Sequence, residues 1–300
     1  MPPSAPQPGQ PRTRRREWVV ATGVLLAALA VWFPGLLAGQ QMGQSHVLWS
    51  SAPWAGERPA GLDVVPRSGE LDAAVVFRPL LTEARRQLGE GHLPLWNPYA
   101  FAGMPLLGDW QSGWLFPLNW VALAVGVDAG WGWVAVLKLL LGGLGTVALG
   151  RRWGFGTGGA IVAGLVFMLS APNLVWLQWP VSTVFCLLPW LLLATDRVAR
   201  RPDRRGVAAV GAVVGASLIA GHPETALISS SAVAVHLLVV LWRRRAGRAR
   251  AARALLAWAG GHVLGVAVAG AVILPFLQAW AESVSRSDHG ALAFGDLPWW

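Results

Sequence analysis

Long apolar runs, separated by short arginine-rich segments, are the dominant pattern of the chain. Several of these runs approach the roughly 20 residues that a helix needs to cross a bilayer. The pattern therefore predicts an all-α polytopic membrane protein with seven spans. The predicted spans lie at about 18–38, 131–150, 157–172, 177–195, 206–220, 225–242 and 255–280.

The segment between the first two predicted spans, residues 39–114, is long and carries many polar residues. Apolar residues recur within it at helical spacing, which predicts an amphipathic helix on the membrane surface, bent or restarted at Pro79. The apolar positions are Ala73, Phe77, Leu80, Leu81, Ala84 and Leu88, opposite Arg78, Thr82, Arg85 and Arg86. The next apolar run, 115–127, is short and contains Pro117 and Asn119, so we interpret it as a re-entrant or interfacial piece.

The stretch from Leu93 to Gly113 contains too many proline, glycine and tryptophan residues for a membrane helix. Membrane proteins keep such irregular backbone at an interface or around a wet cavity, because lipid cannot satisfy the freed N–H and C=O groups. Two carboxylates, Asp72 and Asp109, lie close before this stretch and within it. We therefore expect the chemistry of the protein here, which favours a membrane enzyme over a passive helix bundle.

Composition agrees with a membrane protein, since 54% of the residues are hydrophobic and 13% are charged. An average soluble protein has roughly 25% charged residues. The net charge is +9, but the arginines cluster between the apolar runs, at 12–16, 151–152, 197–205 and 243–253. By the positive-inside rule these clusters lie in the cytoplasm. The positive charge therefore indicates topology, and no nucleic-acid partner is expected.

This orientation places the N-terminus inside and makes residues 39–114 the first extracytoplasmic loop. Residues 1–16 are predicted to be a disordered cytoplasmic tail, and residues 17–300 to be the transmembrane domain. The first apolar run is longer than a signal-peptide core and lacks a small-residue cleavage site, so we interpret it as an uncleaved anchor. No closing span follows residue 280, a pattern expected of the N-terminal part of a longer protein.

Short motifs recur across the apolar part of the chain. Asp72 lies seven residues before Pro79. The other motifs are Pro94-Leu95-Trp96-Asn97-Pro98, Gly103-Met104-Pro105, Phe116-Pro117-Leu118-Asn119 and Gly221-His222-Pro223-Glu224-Thr225. Together they resemble the bacterial YfhO-type membrane proteins, which belong with the GT-C-fold glycosyltransferases, over about residues 65–280. Two positions depart from that family, since Trp110 replaces a frequent proline and Glu224 a common glutamine.

The resemblance implies a GT-C-like helix bundle in the bacterial cytoplasmic (inner) membrane. It implies an enzyme that moves a sugar from a polyprenyl-phosphate carrier to a cell-envelope glycan or lipid acceptor on the extracytoplasmic face. In such enzymes the first outer loop usually supplies an essential carboxylate. We therefore expect Asp72 to be the general base and Asp109 to be a second catalytic carboxylate or a metal ligand.

Candidate substrate-binding residues are Trp96, Asn97, His222, Glu224, Lys138 and Arg78. Lys138 lies deep in a predicted span, where a charge costs roughly 2.5–3.5 kcal/mol unless it faces a cavity or a partner. Its side chain either extends to the interface or balances the negative charge of the carrier phosphate. Arg78 and its neighbours on the surface helix are alternative partners for that phosphate. Asp109 could instead cap a turn, and His222 and Glu224 could simply begin a helix. A divalent cation held by Asp109 and Glu224 is a candidate cofactor.

Two other functions stay open. One is a transporter or a lipid-linked sugar flippase whose path includes Lys138 and Glu224, and the other is a non-catalytic membrane scaffold. A transporter is expected to place its acidic residues at mid-membrane depth. Here the carboxylates gather in the predicted outer loops, which favours the enzyme.

Overall fold

The computed structural model describes residues 11–43, 45–50, 52–61 and 72–282. Of these described residues, 75% are helical and almost none lie in strands. The helices are α1 (Pro11–Trp32), α2 (Pro34–Leu37), α3 (Arg78–Gly89), α4 (Asn119–Val125), α5 (Val127–Trp153), α6 (Thr157–Met168), α7 (Ala171–Val175), α8 (Pro180–Arg200), α9 (Arg204–Ile219), α10 (Pro223–Arg243), α11 (Arg248–Val268) and α12 (Gly270–Glu282). Strands β1 (Trp96–Asn97) and β2 (Met104–Pro105) form one antiparallel pair. The all-α prediction is confirmed.

Four helices of the described part are long and apolar enough to cross a membrane: α5, α8, α10 and α11. They overlap four of the seven predicted spans, and the last of these, 255–280, is divided in the structure between α11 and α12 at Ala269. The other three predicted spans coincide with α1, α6 and α9, of which α6 and α9 have only 12 and 16 residues. The number of spans and their orientation stay predictions.

The first predicted span is divided in the structure. Helix α1 begins at Pro11, inside the predicted disordered tail, because proline fits the first turn of a helix and arginine is a good helix former. It ends at Trp32, since Phe33 precedes Pro34 and a residue before proline disfavours helical geometry. The rest of the predicted tail, residues 1–10, lies outside the described residues.

The predicted amphipathic helix is present. A π-helical turn over Ala73–Phe77 passes directly into α3, and Pro79 occupies the first turn of α3, where proline is tolerated. Its apolar face packs on protein instead of facing lipid: Leu81 contacts the cluster around Ala122 and Val127, and Leu80 and Ala84 pack with Leu106. The run 115–127 forms the short helix α4, which a break at Gly126 separates from α5.

Helices α5 and α8 lie at the centre of the bundle. One side of α5 packs against α1 and α6 through a buried cluster that includes Leu25, Leu139 and Met168. Helix α8 packs against α9, α10 and α11 through a second cluster that includes Val198 and Val210. Helices α9 and α11 approach closely through small residues, the packing mode that membrane helices favour.

The three helices α5, α8 and α10 run in the same direction through the bundle. Their first residues lie beside the irregular segment 93–113, an end that we name the loop end. Their last turns bring arginines together at the opposite end, which we name the arginine end. Helix α5 has 27 residues and therefore separates the two ends by roughly 40 Å, about the thickness of a membrane.

Candidate functional site at the loop end

The irregular segment begins as a small hairpin. Residues Trp96 and Asn97 pair with Pro105 and Met104, respectively. The Asn97 side-chain oxygen accepts a hydrogen bond from the Tyr99 N–H (2.9 Å), an Asx turn that uses the amide within the hairpin. The side chain of Asn97 is buried, whereas Trp96 is half exposed. Of these two predicted substrate-binding residues, only Trp96 presents its side chain at the surface.

Gly103 closes this hairpin. Its φ of 115° lies in the region that favours glycine, and a Cβ at this position would lie 2.6 Å from the Trp96 ring. At the tip, the side chain of Phe101 is 92% exposed, and that of Tyr99 is also exposed. The hairpin therefore carries exposed aromatic side chains, and the Arg86 guanidinium lies over the Tyr99 ring, 5.7 Å from its centroid.

The second half of the segment packs deep between helices. A Cβ on Gly108 would lie 2.9 Å from the Pro275 carbonyl of α12, so only glycine fits there. Trp110 stacks edge-on against Phe276, and its indole N–H donates to the Leu218 carbonyl at the end of α9 (2.5 Å). Trp110 has a φ of 58°, which costs a non-glycine residue energy, so these contacts hold strained backbone in place.

Asp109 lies between these two anchored residues, Gly108 and Trp110. Its Oδ2 atom is buried and has no hydrogen-bond partner in the described part of the chain. Burial raises the pKa of Asp109 to about 7, although a backbone hydrogen bond from Ser112 acts in the opposite direction. A carboxylate with a pKa near neutrality can both take up and release a proton under physiological conditions.

The Gly221-His222-Pro223 turn lies against the same segment. A Cβ on Gly221 would lie 3.4 Å from both the Trp110 and the Gln111 carbonyl oxygens, so the two motifs are in direct contact. His222 caps α10, because its Nδ1 accepts a hydrogen bond from the Thr225 N–H (3.3 Å). The exposed carboxylate of Glu224 lies 3.3 Å from the same Nδ1. His222 and Glu224 thus begin a helix, as the structural alternative predicted, and also lie beside the loop of Asp109.

Lys138 lies behind this loop, only 4% exposed. Its ammonium donates to the Trp179 carbonyl (3.2 Å), and no carboxylate among the described residues lies within ion-pair distance. It lines a cavity of about 30 Å³ together with Phe77, Gln111 and Ser112. That volume holds about two water molecules and excludes a phosphate. The expected extension of Lys138 to the interface is therefore not seen, and its contact with a phosphate stays a prediction.

The arginines of the surface helix are engaged with protein groups. Arg78 pairs with Asp128, and Arg85 donates to the Leu123 carbonyl (3.0 Å). Arg86 donates to Glu83 (2.7 Å) and to Glu90 (2.7 Å). The hydrogen bond from Arg86 holds the pKa of Glu83 below its usual value. The contacts of Arg78 and Arg85 attach α3 to α5 and α4, whereas those of Arg86 stay within α3 and its C-terminus. Each arginine must therefore exchange a protein partner before it can bind a phosphate.

Asp72 immediately precedes the π-helical turn that ends at Phe77, and its side chain makes no capping hydrogen bond. Phe77 lines the Lys138 cavity and stacks edge-on against Trp179 (5.1 Å). Asp72 is therefore connected to the cavity through one turn of helix. The structure brings the loop of Asp109, the His222 turn and Lys138 together, and it places Arg78 and the Trp96 hairpin at the edge of this group.

Two kinds of residue in the structure are not predicted from the sequence. Gln111 and Ser112 line the cavity, and only their position next to Asp109 could have indicated this. The buried Asp196 and the partly exposed His236 form a pair at the arginine end, 3.2 Å apart. His236 lies within the predicted span 225–242, and Asp196 directly follows the predicted span 177–195. An ionisable residue within a span is itself a signal of function or of a buried partner.

The part of the chain that the structure describes contains no preformed metal site. No group of three or more His, Cys, Asp or Glu side chains among those residues could hold a metal ion. A cation held by Asp109 and Glu224 would need further ligands from water or substrate, and it stays a prediction.

The part of the chain from α4 to α12 matches the model of a known protein family. A family model described as "6-pyruvoyl-tetrahydropterin synthase related domain; membrane protein" matches residues 118–293, which is more than half of the chain. No curated protein and no solved structure matches the chain. The matched region runs from just before α4 through α12, so it includes the His222 turn and Lys138.

Proposed function

The chain belongs to the 6-pyruvoyl-tetrahydropterin synthase related family of membrane proteins, and within that family we propose that it is a glycosyltransferase. In this proposal it takes a sugar from a polyprenyl-phosphate carrier and transfers it to a cell-envelope glycan or lipid acceptor at the loop end. The GT-C-like bundle, the bacterial cytoplasmic membrane and an extracytoplasmic loop end are parts of the same proposal. They rest on the sequence resemblance and on the arginine distribution.

The observation that carries the proposal is the environment of Asp109. Its buried carboxylate has a pKa of about 7 and a free acceptor oxygen, on a loop held by both α9 and α12. A general base works best when its pKa lies near the operating pH, and it typically contributes roughly 10²–10⁴-fold to the rate. Rigid surroundings also hold such a base at a fixed position. We therefore assign the base role to Asp109 ahead of Asp72.

The reaction needs only one base and a charged site for the leaving group. Asp109 takes the proton of the acceptor hydroxyl as its oxygen attacks the anomeric carbon of the donor. The new C–O bond forms in line with the breaking bond to the carrier phosphate, and the bonding electron pair leaves with that phosphate. Arg78 is the proposed cation for the leaving group, once it exchanges Asp128 for the phosphate, and Lys138 is a second one only after its cavity widens. The exposed ring of Trp96 is the proposed surface for sugar stacking.

A reconstitution experiment tests the assignment. The full chain is placed in proteoliposomes with a panel of radiolabelled polyprenyl-phosphate hexoses, and transfer to acceptor is measured for Asp109→Asn, Asp72→Asn and Glu90→Gln. Glu90 is an exposed carboxylate at the C-terminus of α3, just before the 93–113 segment, and it serves as the matched control. We expect Asp109→Asn to lose roughly 10²–10⁴-fold activity and Glu90→Gln to stay active.

Each other outcome has a definite meaning. If Asp72→Asn is inactive while Asp109→Asn transfers sugar normally, the base is Asp72. If all variants transfer sugar at the wild-type rate, the site is wrong. A donor that changes leaflet without losing its sugar identifies the flippase alternative, which the buried charge of Lys138 favours.

A further inference from the structure

A second pocket lies at the arginine end, roughly 40 Å from the proposed catalytic loop. It is an open pocket of about 740 Å³ between the last turns of α5, α8 and α10. Its ionisable lining consists of Arg152, Asp196, Arg200, His236, Arg243 and Arg244. Four guanidinium groups therefore face one carboxylate and one imidazole, and the proposed transfer reaction uses none of them.

Asp196 contacts three of the other ionisable residues that line this pocket. It is 2% exposed, and its Oδ2 accepts from Arg200 (3.0 Å) and lies 3.7 Å from Arg152. Its Oδ1 lies 3.2 Å from His236. Both oxygens of the carboxylate thus have partners, and neither Arg243 nor Arg244 is among them.

The positive charge of the pocket is not balanced by protein groups. Arg243 and Arg244 have no acidic partner among the described residues, and the buried Nε of Arg200 has no hydrogen-bond partner there. Guanidinium groups that line one pocket repel one another unless an anion lies between them. Phosphate is the anion that such groups bind best, because its oxygens match their fork of donors.

An apolar wall continues from the basic part of the pocket. Val239 and Val240 line it from α10, and Trp153 lines it from α5, with Val239 and Trp153 both exposed. The Trp153 ring lies 5.9 Å from the His236 ring, so the aromatic surface directly borders the polar group. A soluble phosphate would leave this wall uncovered, whereas an acyl chain attached to the phosphate would cover it.

The position in the bundle fits the same ligand. Two helices long and apolar enough to cross a membrane, α8 and α10, end at this pocket at Arg200 and Arg243. The pocket therefore lies at the depth where the hydrocarbon core meets the headgroups. Basic pockets between membrane helices at this depth are suited to anionic lipid headgroups.

We propose that this pocket binds an anionic phospholipid, with the headgroup phosphate between Arg200, Arg243 and Arg244 and an acyl chain along Trp153 and Val239. The proposal is independent of sugar transfer. The ligand is a membrane lipid, and free phosphate lacks the apolar part that the wall would contact.

Thermal unfolding of the full chain in detergent tests the proposal, with dioleoyl-phosphatidylglycerol, dioleoyl-phosphatidylcholine or inorganic phosphate added. The variant is Arg243→Gln/Arg244→Gln. The matched control is Arg204→Gln/Arg248→Gln, which removes the same charge from exposed positions of the same end outside the pocket. We expect phosphatidylglycerol to raise the melting temperature of the wild type and the control. The pocket variant should need a phosphatidylglycerol concentration roughly thirtyfold higher for the same shift.

Three results would overturn the proposal. Equal weakening in both double variants would mean that diffuse surface charge attracts the lipid. Equal protection by phosphatidylcholine would mean that the headgroup charge is not recognised, and equal protection by inorganic phosphate would mean that the pocket binds a soluble anion. If the pocket variant is too unstable for melting, native mass spectrometry of lipid adducts on Val239→Ser decides, since loss of the apolar wall should reduce retained phosphatidylglycerol against the wild type.

Discussion

Each end of the bundle contains a buried carboxylate oxygen, but the groups that surround it differ between the two ends. At the arginine end, Asp196 contacts Arg152, Arg200 and His236. At the loop end, the Oδ2 of Asp109 has no partner in the described part of the chain, and burial raises the pKa of Asp109 to about 7. A buried carboxylate that is surrounded by cations stays charged and holds helices together. One that lacks a cationic partner exchanges its proton near neutral pH, which suits catalysis and costs stability.

The backbone differs between the two ends as well. The arginine end consists of regular last turns, such as that of α5, which ends at Gly154 with the left-handed geometry usual for a helix C-terminus. The loop end contains three non-glycine residues with positive φ, Phe101, Ala102 and Trp110, whereas the arginine end has one among the described residues, Arg245, just after α10. Such strain persists only where surrounding contacts enforce it, and it is concentrated at functional sites. Backbone and charge therefore both favour the loop end as the place of chemistry.

The largest expected effect concerns the stability of Asp109→Asn at different pH. The folded state raises the pKa from 3.8 to about 7, so it binds more protons than the unfolded state in this interval. The wild type should therefore lose stability as the pH rises from about 4 to 7, by roughly 4 kcal/mol, and no further above pH 7.

Asparagine cannot ionise, so Asp109→Asn should equal the wild type near pH 4 and exceed its free energy of unfolding at pH 8. Thermal unfolding in detergent at pH 4 to 8 measures the difference. A variant less stable than the wild type at pH 8 would show that the carboxylate is ionised and well paired in the folded protein, which removes the contrast between the two ends.

The next effect tests the opposite carboxylate. Asp196→Asn leaves three cationic or protonatable neighbours without their shared counter-charge, and removal of one member of a buried ion pair is destabilising. Because Arg152 and Arg200 are partly exposed, solvent screens them, and we expect a loss of about 2 kcal/mol. The same melting assay measures it, and Asp196→Asn/Arg200→Gln should recover part of the loss. A neutral or stabilising Asp196→Asn would contradict a structural role for this cluster.

The smallest effect compares two glycines with positive φ. Gly154→Ala at the arginine end meets open space, so only the backbone conformation is penalised, by about 1 kcal/mol. Gly103→Ala at the loop end also displaces the Trp96 ring, and we expect about 2 kcal/mol. Hydrogen exchange of the Leu106 N–H, which donates to the Leu95 carbonyl (2.8 Å), should become faster only in Gly103→Ala. Equal exchange in the two variants would show that the hairpin does not depend on this contact.

Much of the helical framework is predictable from the sequence, because a span must be apolar over a fixed length. The runs that became α5, α8 and α10 follow from that rule alone, and the irregular backbone of 93–113 follows from its proline and glycine content. The face of the surface helix is also predictable, since Phe77 and Leu80 repeat at helical spacing. The surface on which this helix packs is not predictable from the sequence. Its contacts with α4 and Leu106 are distant in sequence, and the same apolar pattern is typical of a helix that faces lipid.

The site is less predictable than the fold. Asp109 follows from its unusual segment, but its burial depends on Gly108 meeting α12 and on Trp110 meeting α9, contacts across more than a hundred residues. The sequence also predicts nothing about the cavity volume at Lys138. A resemblance to known enzymes favours Asp72 as the base, whereas the geometry favours Asp109. Only the structure provides the desolvation on which that preference rests.

The small cavity at Lys138 sets a condition on any ligand that reaches it. With room for about two water molecules, it admits a phosphate only in molecules whose 110–113 segment has moved away. The measured dissociation constant of such a ligand is then its intrinsic value divided by the fraction of open molecules. A substitution that loosens this segment would therefore strengthen binding while weakening the fold. Here tighter affinity and lower thermal stability would have a common origin.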